Sequence, residues 1–257
     1  MARRVFVTGA SSGIGAALAR HYAAEGRILG LAARRTELLS DLAAQLPGEV
    51  SVYGLDVGDR DALARAAADF SARFGAPDLV IANAGVSVGT RGESLEDVAA
   101  LLQLLEVNVA GLAATLAAFA PAMRAAGRGT LAGIASVAGF RGLPGAGAYS
   151  ASKAAAIAWL ESLRAELHGS GVAVVTVCPG FIDTPMTRGN PYRMPFLLPA
   201  DEAARRIARA IAARRRLAVI PWQMALAATL LRALPRPLYD RIVARAPRKR
   251  RTSGERS

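Results

Sequence analysis

The sequence predicts a doubly wound, mostly parallel α/β sheet, and three observations carry that expectation. Short apolar runs alternate with alanine-rich helical stretches along the chain, the pattern of strands joined by crossover helices. A glycine-rich turn sits between the first such run and the first helix. Finally, 257 residues, of which 53% are hydrophobic and only 5% aromatic, suffice for one large core built mainly from Ala, Val, Leu and Ile.

Taken in order, residues 3–7 form the first strand and run directly into Thr8-Gly9-Ala10-Ser11-Ser12-Gly13-Ile14-Gly15, followed by a helical pattern over 16–25. Further strands are expected at 27–33, 50–55, 79–82, 129–135, 172–178 and 217–220, with helices filling the gaps. The stretch 95–123 reads as one long helix or as two joined near Asn108. Pro/Gly-rich loops at 141–147 and 188–199 look like connections near a site, because open sheets bind ligands at the carboxyl ends of their strands. No internal repeat is visible. No long apolar stretch precedes the glycine turn, so secretion is not expected. The one cysteine, Cys178, has no partner for an intrachain disulfide and suits a small buried hydrophobe at a strand end.

The chemistry begins at the glycine turn. A strand, a glycine-rich turn and a helix in succession let backbone amides approach a pyrophosphate at the helix N-terminus. The spacing here, Gly-x-x-x-Gly-x-Gly, differs from the commoner Gly-x-Gly-x-x-Gly fingerprint. At the end of the second strand stand Leu31-Ala32-Ala33-Arg34-Arg35. An NAD site wants a carboxylate there for the ribose hydroxyls. Instead Ala33 leaves room and Arg34 offers a planar donor fork suited to the 2′-phosphate of NADP, with Arg35 assisting; the alternative is two solvated arginines. Among 32 basic residues only two are lysine, Lys153 and Lys249. Lys153 follows Tyr149 by four residues, so the two share a helix face, and a close, desolvated ammonium favours a phenolate. A polar surface pair on an alanine-rich helix would have the same spacing.

With these motifs in order, the chain resembles the short-chain dehydrogenase/reductase family from about residue 3 to about residue 220. The likeness also draws on Asp56-Val57, Asn83-Ala84-Gly85, Asn108, Ser136, and Pro179-Gly180 followed by Ile182 and Thr184. It implies a Rossmann-type, three-layer α/β/α domain with seven strands. By resemblance, Gly9, Ser11, Ser12, Gly13, Ile14 and Gly15 bind the cofactor diphosphate side, Asp56 the adenine amino group and Val57 the ring. Asn83, Ala84 and Gly85 flank the adenine-side ribose, or form an ordinary strand exit. Tyr149 is the general acid for the substrate oxygen, and the base in the reverse direction. Lys153 lowers its pKa and holds the nicotinamide ribose, Ser136 hydrogen-bonds the carbonyl, and Asn108 binds a relay water at a helix irregularity. Pro179, Gly180, Ile182 and Thr184 meet the nicotinamide carboxamide and the diphosphate, although Pro-Gly is also a common turn.

The chain divides into a cofactor-binding and catalytic domain at 1–220 with a substrate lid at 181–199, an apolar helical extension at 221–245 and a basic tail at 246–257 expected to be disordered. Residues 241–257 carry seven cations against Glu255, so 7 minus 1 gives +6 of the net +12. The apolar lid points to a hydrophobic substrate. The extension is too short to span a bilayer, which needs about 20 residues, and suits a dimer or lid helix, or an interfacial helix with Trp222 at the headgroups. His21 and His168 have no ligand-spaced neighbours, so no metal is expected. Dedicated nucleic-acid binding is not expected either, because base-reading architecture is missing. The sequence thus points to an oxidoreductase moving hydride between NADP(H) and a hydrophobic ketone or aldehyde, or its alcohol. It is expected in the cytoplasm, peripheral to the inner membrane face, as a homodimer or homotetramer. The alternative is a non-catalytic NADP-sensing protein on the same fold.

Overall fold

The computed structural model describes residues 3–244, 247–249 and 251. Seven strands form one sheet: β1 (Arg4–Thr8), β2 (Ile28–Ala33), β3 (Val50–Gly54), β4 (Leu79–Ala82), β5 (Gly129–Ile134), β6 (Val172–Pro179) and β9 (Leu217–Ile220). Their spatial order is β3-β2-β1-β4-β5-β6-β9, and every pairing is parallel. The order reverses between β1 and β4, so their exits leave a crevice at the carboxyl ends of the strands. Each expected strand is present to within about one residue at either end.

Strand alternation divides the core in two, as a pleated sheet requires. Val5, Val7, Leu29, Leu31, Leu79, Ile81, Val175 and Val177 face helices α1 (Gly13–Ala24), α2 (Thr36–Ala44) and α7 (Ala200–Ala212). Phe6, Ala32, Val80, Leu131 and Val174 face α3 (Arg60–Phe74), α5 (Gly111–Ala125) and α6 (Gly147–Glu166). Phe6 nests against Phe119 and Phe70, with ring centroids 4.6 and 5.5 Å away. Gly30 makes that possible: a Cβ there would lie 2.4 Å from the Phe6 ring. The layers are the α/β/α arrangement expected.

The long helical stretch resolves into α4 (Asp97–Leu105), a π-helical turn (Glu106–Ala110) and α5, an irregularity centred on Asn108. By length and composition residues 97–125 could cross a membrane, yet here they flank the sheet, with Leu104, Leu112, Leu116, Phe119 and Met123 buried. The lid at 181–199 is framed by a parallel ribbon, β7 (Ile182–Asp183) with β8 (Leu198–Pro199), which no sequence pattern announced. The extension is two helices, α8 (Trp222–Ala233) and α9 (Arg236–Val243), the second starting where Pro235 and Pro237 would only have ended the first. Pro237 falls at the start of α9, where its missing N–H is harmless.

Arg141 fastens this extension to the body. Its Nη1 donates to the carbonyls of Leu231, Arg232 and Leu234 at 2.6, 3.0 and 3.0 Å, satisfying the carbonyls that a helix end leaves unpaired. Its guanidinium also lies 4.0 Å from the Tyr239 ring centroid, and the Tyr239 hydroxyl donates to the Gly142 carbonyl.

Where a solvated tail is expected, the described cations lie on the body. Lys249 donates to Ser87 at 2.7 Å and Arg251 pairs with Asp97 and Glu96 at 2.7 and 3.3 Å. Of the expected disordered stretch, residues 246, 250 and 252–257, Arg250 and Arg256 among them, lie outside the described residues. His21 sits 3.4 Å from Glu25, and His168 lies in the turn after α6. Cys178 is buried, and burial pushes its thiol up to about 12.

Candidate active site

A cleft of about 620 Å³ opens at the carboxyl ends of the strands. It is lined by Gly9, Ser11, Ser12, Gly13 and Ile14 from the first turn, by Arg34, Arg35, Asp56 and Val57 beyond β2 and β3, and by Asn83, Ala84 and Gly85 beyond β4. Ser136, Tyr149 and Lys153, then Pro179, Gly180, Ile182 and Thr184, close the other end. Every candidate except Gly15 and Asn108 therefore touches one cavity, although the residues span most of the chain.

The glycine turn is built for close approach. Gly9 and Gly13 have φ of 66° and 57°, the left-handed region that glycine enters without steric cost. A Cβ on Gly15 would stand 2.2 Å from the Gly9 carbonyl oxygen, so Gly15 is packing that holds the turn. Asn83 ties the turn to β4: its Nδ2 donates to the carbonyls of Thr8 and Gly9 at 3.0 and 3.2 Å, while its backbone N–H donates to Thr8 Oγ1 at 3.2 Å. Thr184 reaches the same turn from the lid, since a Cβ on Gly13 would lie 3.2 Å from its methyl group.

At the other side of the turn, Arg35 Nη2 donates to Ser11 Oγ and Ser12 Oγ at 3.1 and 2.8 Å. Arg34 Nη1 lies 3.5 Å from the Asp56 carboxylate, whose other oxygen accepts from the Gly58 N–H at 2.9 Å. Sequence reasoning gave Arg34 the main role; the geometry makes Arg35 at least its equal, because it alone already reaches the turn hydroxyls. Two exposed guanidiniums beside two hydroxyls form a donor set matched to a phosphate monoester. The donor-rich turn and this corner fit a dinucleotide carrying one.

The reacting end is assembled by α6 and the short 3-10 turn Val137–Gly139. Ser136 caps that turn, its Oγ accepting from the Ala138 N–H at 3.1 Å. Gly139 lets the turn press on α6, for a Cβ there would be 2.8 Å from the Lys153 carbonyl oxygen. Tyr149 and Lys153, one helical turn apart, have the ammonium 5.9 Å from the phenol ring centroid. Lys153 Nζ donates to the Ile134 carbonyl at 2.9 Å and lies 3.4 Å from where a Gly85 Cβ would be.

Burial sets the electrostatics here. It pushes the Tyr149 phenol up, a hydrogen bond with Ser136 opposes the shift, and the neighbouring Tyr192 and Cys178 add to it. Burial also lowers Lys153 to about 8. The lowering by Lys153 that the resemblance implied is not found, because desolvation outweighs it; the phenol is kept protonated, the form in which it can donate to a developing alkoxide. Asn108, fully buried, accepts from the Val86 N–H at 2.8 Å and donates to the Val86 carbonyl and Ser152 Oγ, each at 3.0 Å. It therefore braces the loop after Gly85 against α6.

Pro185 and Met186 of the expected apolar lid line the cleft, and so do residues not singled out from sequence: Val86, Ser87 and Val88 after Gly85, and Thr187 in the lid. Their position just after the Asn83-Ala84-Gly85 and Pro179-Gly180 segments is the signal that would have found them.

Comparison with known proteins agrees with this geometry. The short chain dehydrogenase family model matches residues 3–193. A relative described as an uncharacterized oxidoreductase of Myxococcus xanthus is 41% identical over 243 residues, covering 93% of this chain and 95% of its own. A sulfoacetaldehyde reductase of Chromohalobacter salexigens is 36% identical over 186 residues, 71% of this chain and 74% of its own. The crystal structure of a short chain dehydrogenase from Burkholderia cenocepacia in complex with NADP superposes with a TM-score of 0.81 at 30% identity, covering 93% of this chain and 97% of that one.

Proposed function

The chain belongs to the short-chain dehydrogenase family and is an oxidoreductase, and on that premise we propose that it is an NADP(H)-dependent reductase of hydrophobic ketones or aldehydes, returning the alcohol. The observation that carries this reading is the meeting of Ser136, Tyr149 and Lys153 at one end of a cleft whose other end presents Arg34 and Arg35. When bound, the nicotinamide supplies the hydride. Ser136 orients the substrate oxygen and stabilises charge growing on it. Tyr149, held neutral by its buried setting, delivers a proton to that oxygen; in the reverse direction its phenolate takes it back. Lys153 places a buried positive charge beside the phenol, favouring its anion after proton delivery, and holds the ribose of the cofactor. Asn108 keeps the π turn and the loop after Gly85 in register for proton return from solvent through a relay water.

The NADP preference rests on Arg34 and Arg35 and is supported by the NADP complex of the Burkholderia cenocepacia structure. The reductive direction is supported by the naming of the Chromohalobacter salexigens relative. A hydrophobic substrate agrees with the lid, where Met186, Phe196 and Leu197 remain exposed. The exposed Val98 and Leu102 of α4 suit a second copy of the chain in a homodimer or homotetramer. Trp222, Leu226 and Leu230, exposed along one face of α8, suit peripheral contact with the inner face of a membrane in a cytoplasmic protein. Flotation with anionic vesicles reads that contact directly.

The test is NADPH oxidation against ketones of increasing chain length, with NADH in parallel, in the wild type and in Tyr149→Phe. Turnover in the variant is expected to fall by roughly 10²–10⁴-fold, the usual worth of a positioned general acid, while NADPH still binds. Retained turnover would overturn the assignment of Tyr149, and a preference for NADH that of Arg34 and Arg35.

A further inference from the structure

We propose that Lys249 is a specificity-determining residue whose ammonium, carried to the rim of the catalytic cleft by the folded-back carboxyl-terminal segment, binds a carboxylate at the far end of the carbonyl substrate. The inference rests on the reductase reading and narrows its substrate class to oxo-carboxylic acids with an apolar chain.

The first observation is placement. The chain has only two lysines; one lines this cleft and the other is hydrogen-bonded to a residue that does. Lys153 lines it beside Tyr149, and Lys249 donates from Nζ to Ser87 Oγ at 2.7 Å, a residue that lines the same cavity. They are 96 positions apart in sequence (249 minus 153), so the convergence is a product of the fold.

The second is that the segment is seated on both sides. Arg251 Nη2 donates to Asp97 Oδ1, Glu96 Oε2 and Ser94 Oγ at 2.7, 3.3 and 3.4 Å. On the opposite flank, a Cβ on Gly145 would lie 2.7 Å from the Arg248 Cβ, so the chain rests directly on the loop leading to Tyr149. The two supporting loops are themselves joined, through the Thr90 N–H donating to the Gly145 carbonyl at 3.0 Å and the Ala148 N–H donating to Thr90 Oγ1 at 3.3 Å.

The third is chemical. Arg251 takes the nearby carboxylates, and among the described residues Lys249 has a hydroxyl and no carboxylate as partner. Its side chain is half-buried, and that desolvation lowers its pKa. A partly desolvated cation without a counter-ion is an unfavourable arrangement that an anionic ligand relieves with a charge-assisted hydrogen bond. The cleft lining offers no competing acid at this end: its one carboxylate, Asp56, is at the far end beside Arg34. Val86, Val88 and Met186 line the same cleft as the hydroxyls of Ser136 and Tyr149 and would supply the apolar wall that the chain of such a substrate needs.

The experiment uses the full-length protein with NADPH and a matched pair, 7-oxooctanoate and its methyl ester. The wild type is expected to favour the acid in kcat/KM, and Lys249→Met to lower the acid-over-ester ratio by about tenfold or more, the low end for a hydrogen bond to a charged group. Lys249→Arg should restore most of the ratio, which a merely structural role would not predict. Lys249→Gln, which keeps a donor for Ser87, should behave like Lys249→Met. An acid-over-ester ratio equal in wild type and both neutral variants overturns the proposal. If the wild type oxidises NADPH with neither compound, the reductase reading has failed, and calorimetry of octanoate with the NADPH-loaded protein decides this one. Binding that Lys249→Met abolishes sustains it, and equal or undetectable binding in both proteins overturns it.

Discussion

The two ends of the cleft solve opposite electrostatic problems with opposite residues. At the glycine turn the cations are arginines with wet heads, Arg34 being 62% exposed, and they rest on a carboxylate or on serine hydroxyls. At the reacting end the groups are titratable and dry: Lys153 is 4% exposed and lowered to about 8, and the Tyr149 phenol is raised by burial. A permanently charged fork keeps its donor geometry in water, which is what holding a phosphate requires. Proton transfer requires groups whose charge can change, and burial shifts both away from their ordinary values, the phenol up and the ammonium down. The contrast teaches that displacements or deletions of equal size should cost far more at the dry end, where low dielectric strengthens each remaining interaction.

The sharpest way to break that comparison is Ser136→Ala. Removing a donor aimed at developing charge is expected to lower kcat by ~10²–10³-fold while leaving the KM for NADPH nearly unchanged; steady-state kinetics that show a loss below about threefold would mean the dry end does not stabilise the oxygen. At the wet end, the double variant Arg34→Ala and Arg35→Ala should raise the KM for NADPH by ~10–100-fold through lost charge-assisted hydrogen bonds, with kcat and the KM for NADH preserved. An equal effect on both cofactors would erase the distinction between the ends.

The smallest effect is the pH dependence set by Lys153. Its ammonium is charged below about 8, so the reduction rate should decline as pH rises through that value, by about tenfold one pH unit above it if only the charged form works. Stability responds with the opposite sign. A lysine depressed in the folded state from its ordinary value of about 10.4 has already released its proton where the unfolded chain still holds one. Between about 8 and about 10.4 the lysine's contribution therefore favours the folded state increasingly as pH rises. Cys178, whose thiol is pushed up to about 12, acts the other way over part of that range. The difference in melting temperature between wild type and Lys153→Met isolates the lysine, and it should shift in favour of the wild type from pH 8 to pH 10. A flat difference would mean that Lys153 is not desolvated.

The parts of the molecule that were legible in the sequence are those governed by local pattern. Strand runs with apolar residues on both faces, the glycine turn after β1, and the four-residue spacing of Tyr149 and Lys153 all write themselves within a few positions of the chain. The order of those motifs also placed Ser136, Asn83 and Thr184 on the cleft, although it could not separate Gly15, which packs, from Gly9 and Gly13, which line it. What was illegible depends on partners far away. Arg35 prefers Ser11 and Ser12, 24 and 23 residues earlier, over the role of a mere assistant. Lys249 finds Ser87 across 162 residues, and an arginine-rich tail carries no periodicity that would announce it. The β7–β8 ribbon has two residues per strand, too short for any alternation to register. Pro235 and Pro237 stop one helix and start another, and only the packing of Tyr239 under Arg141 decides between those uses of proline.

The guanidinium of Arg141 also bears on how this chain could be recombined. Three carbonyls of the α8 terminus and one tyrosine ring converge on it, while the loop it belongs to opens into the helix of Tyr149. A chimaera that imports a different carboxyl-terminal cassette onto residues 1–220 would leave this donor facing nothing, and one that exports 221–244 to another scaffold would leave the carbonyls bare. Donor and appendage form a single heritable unit, so shuffling between homologues should succeed only when the crossover carries both.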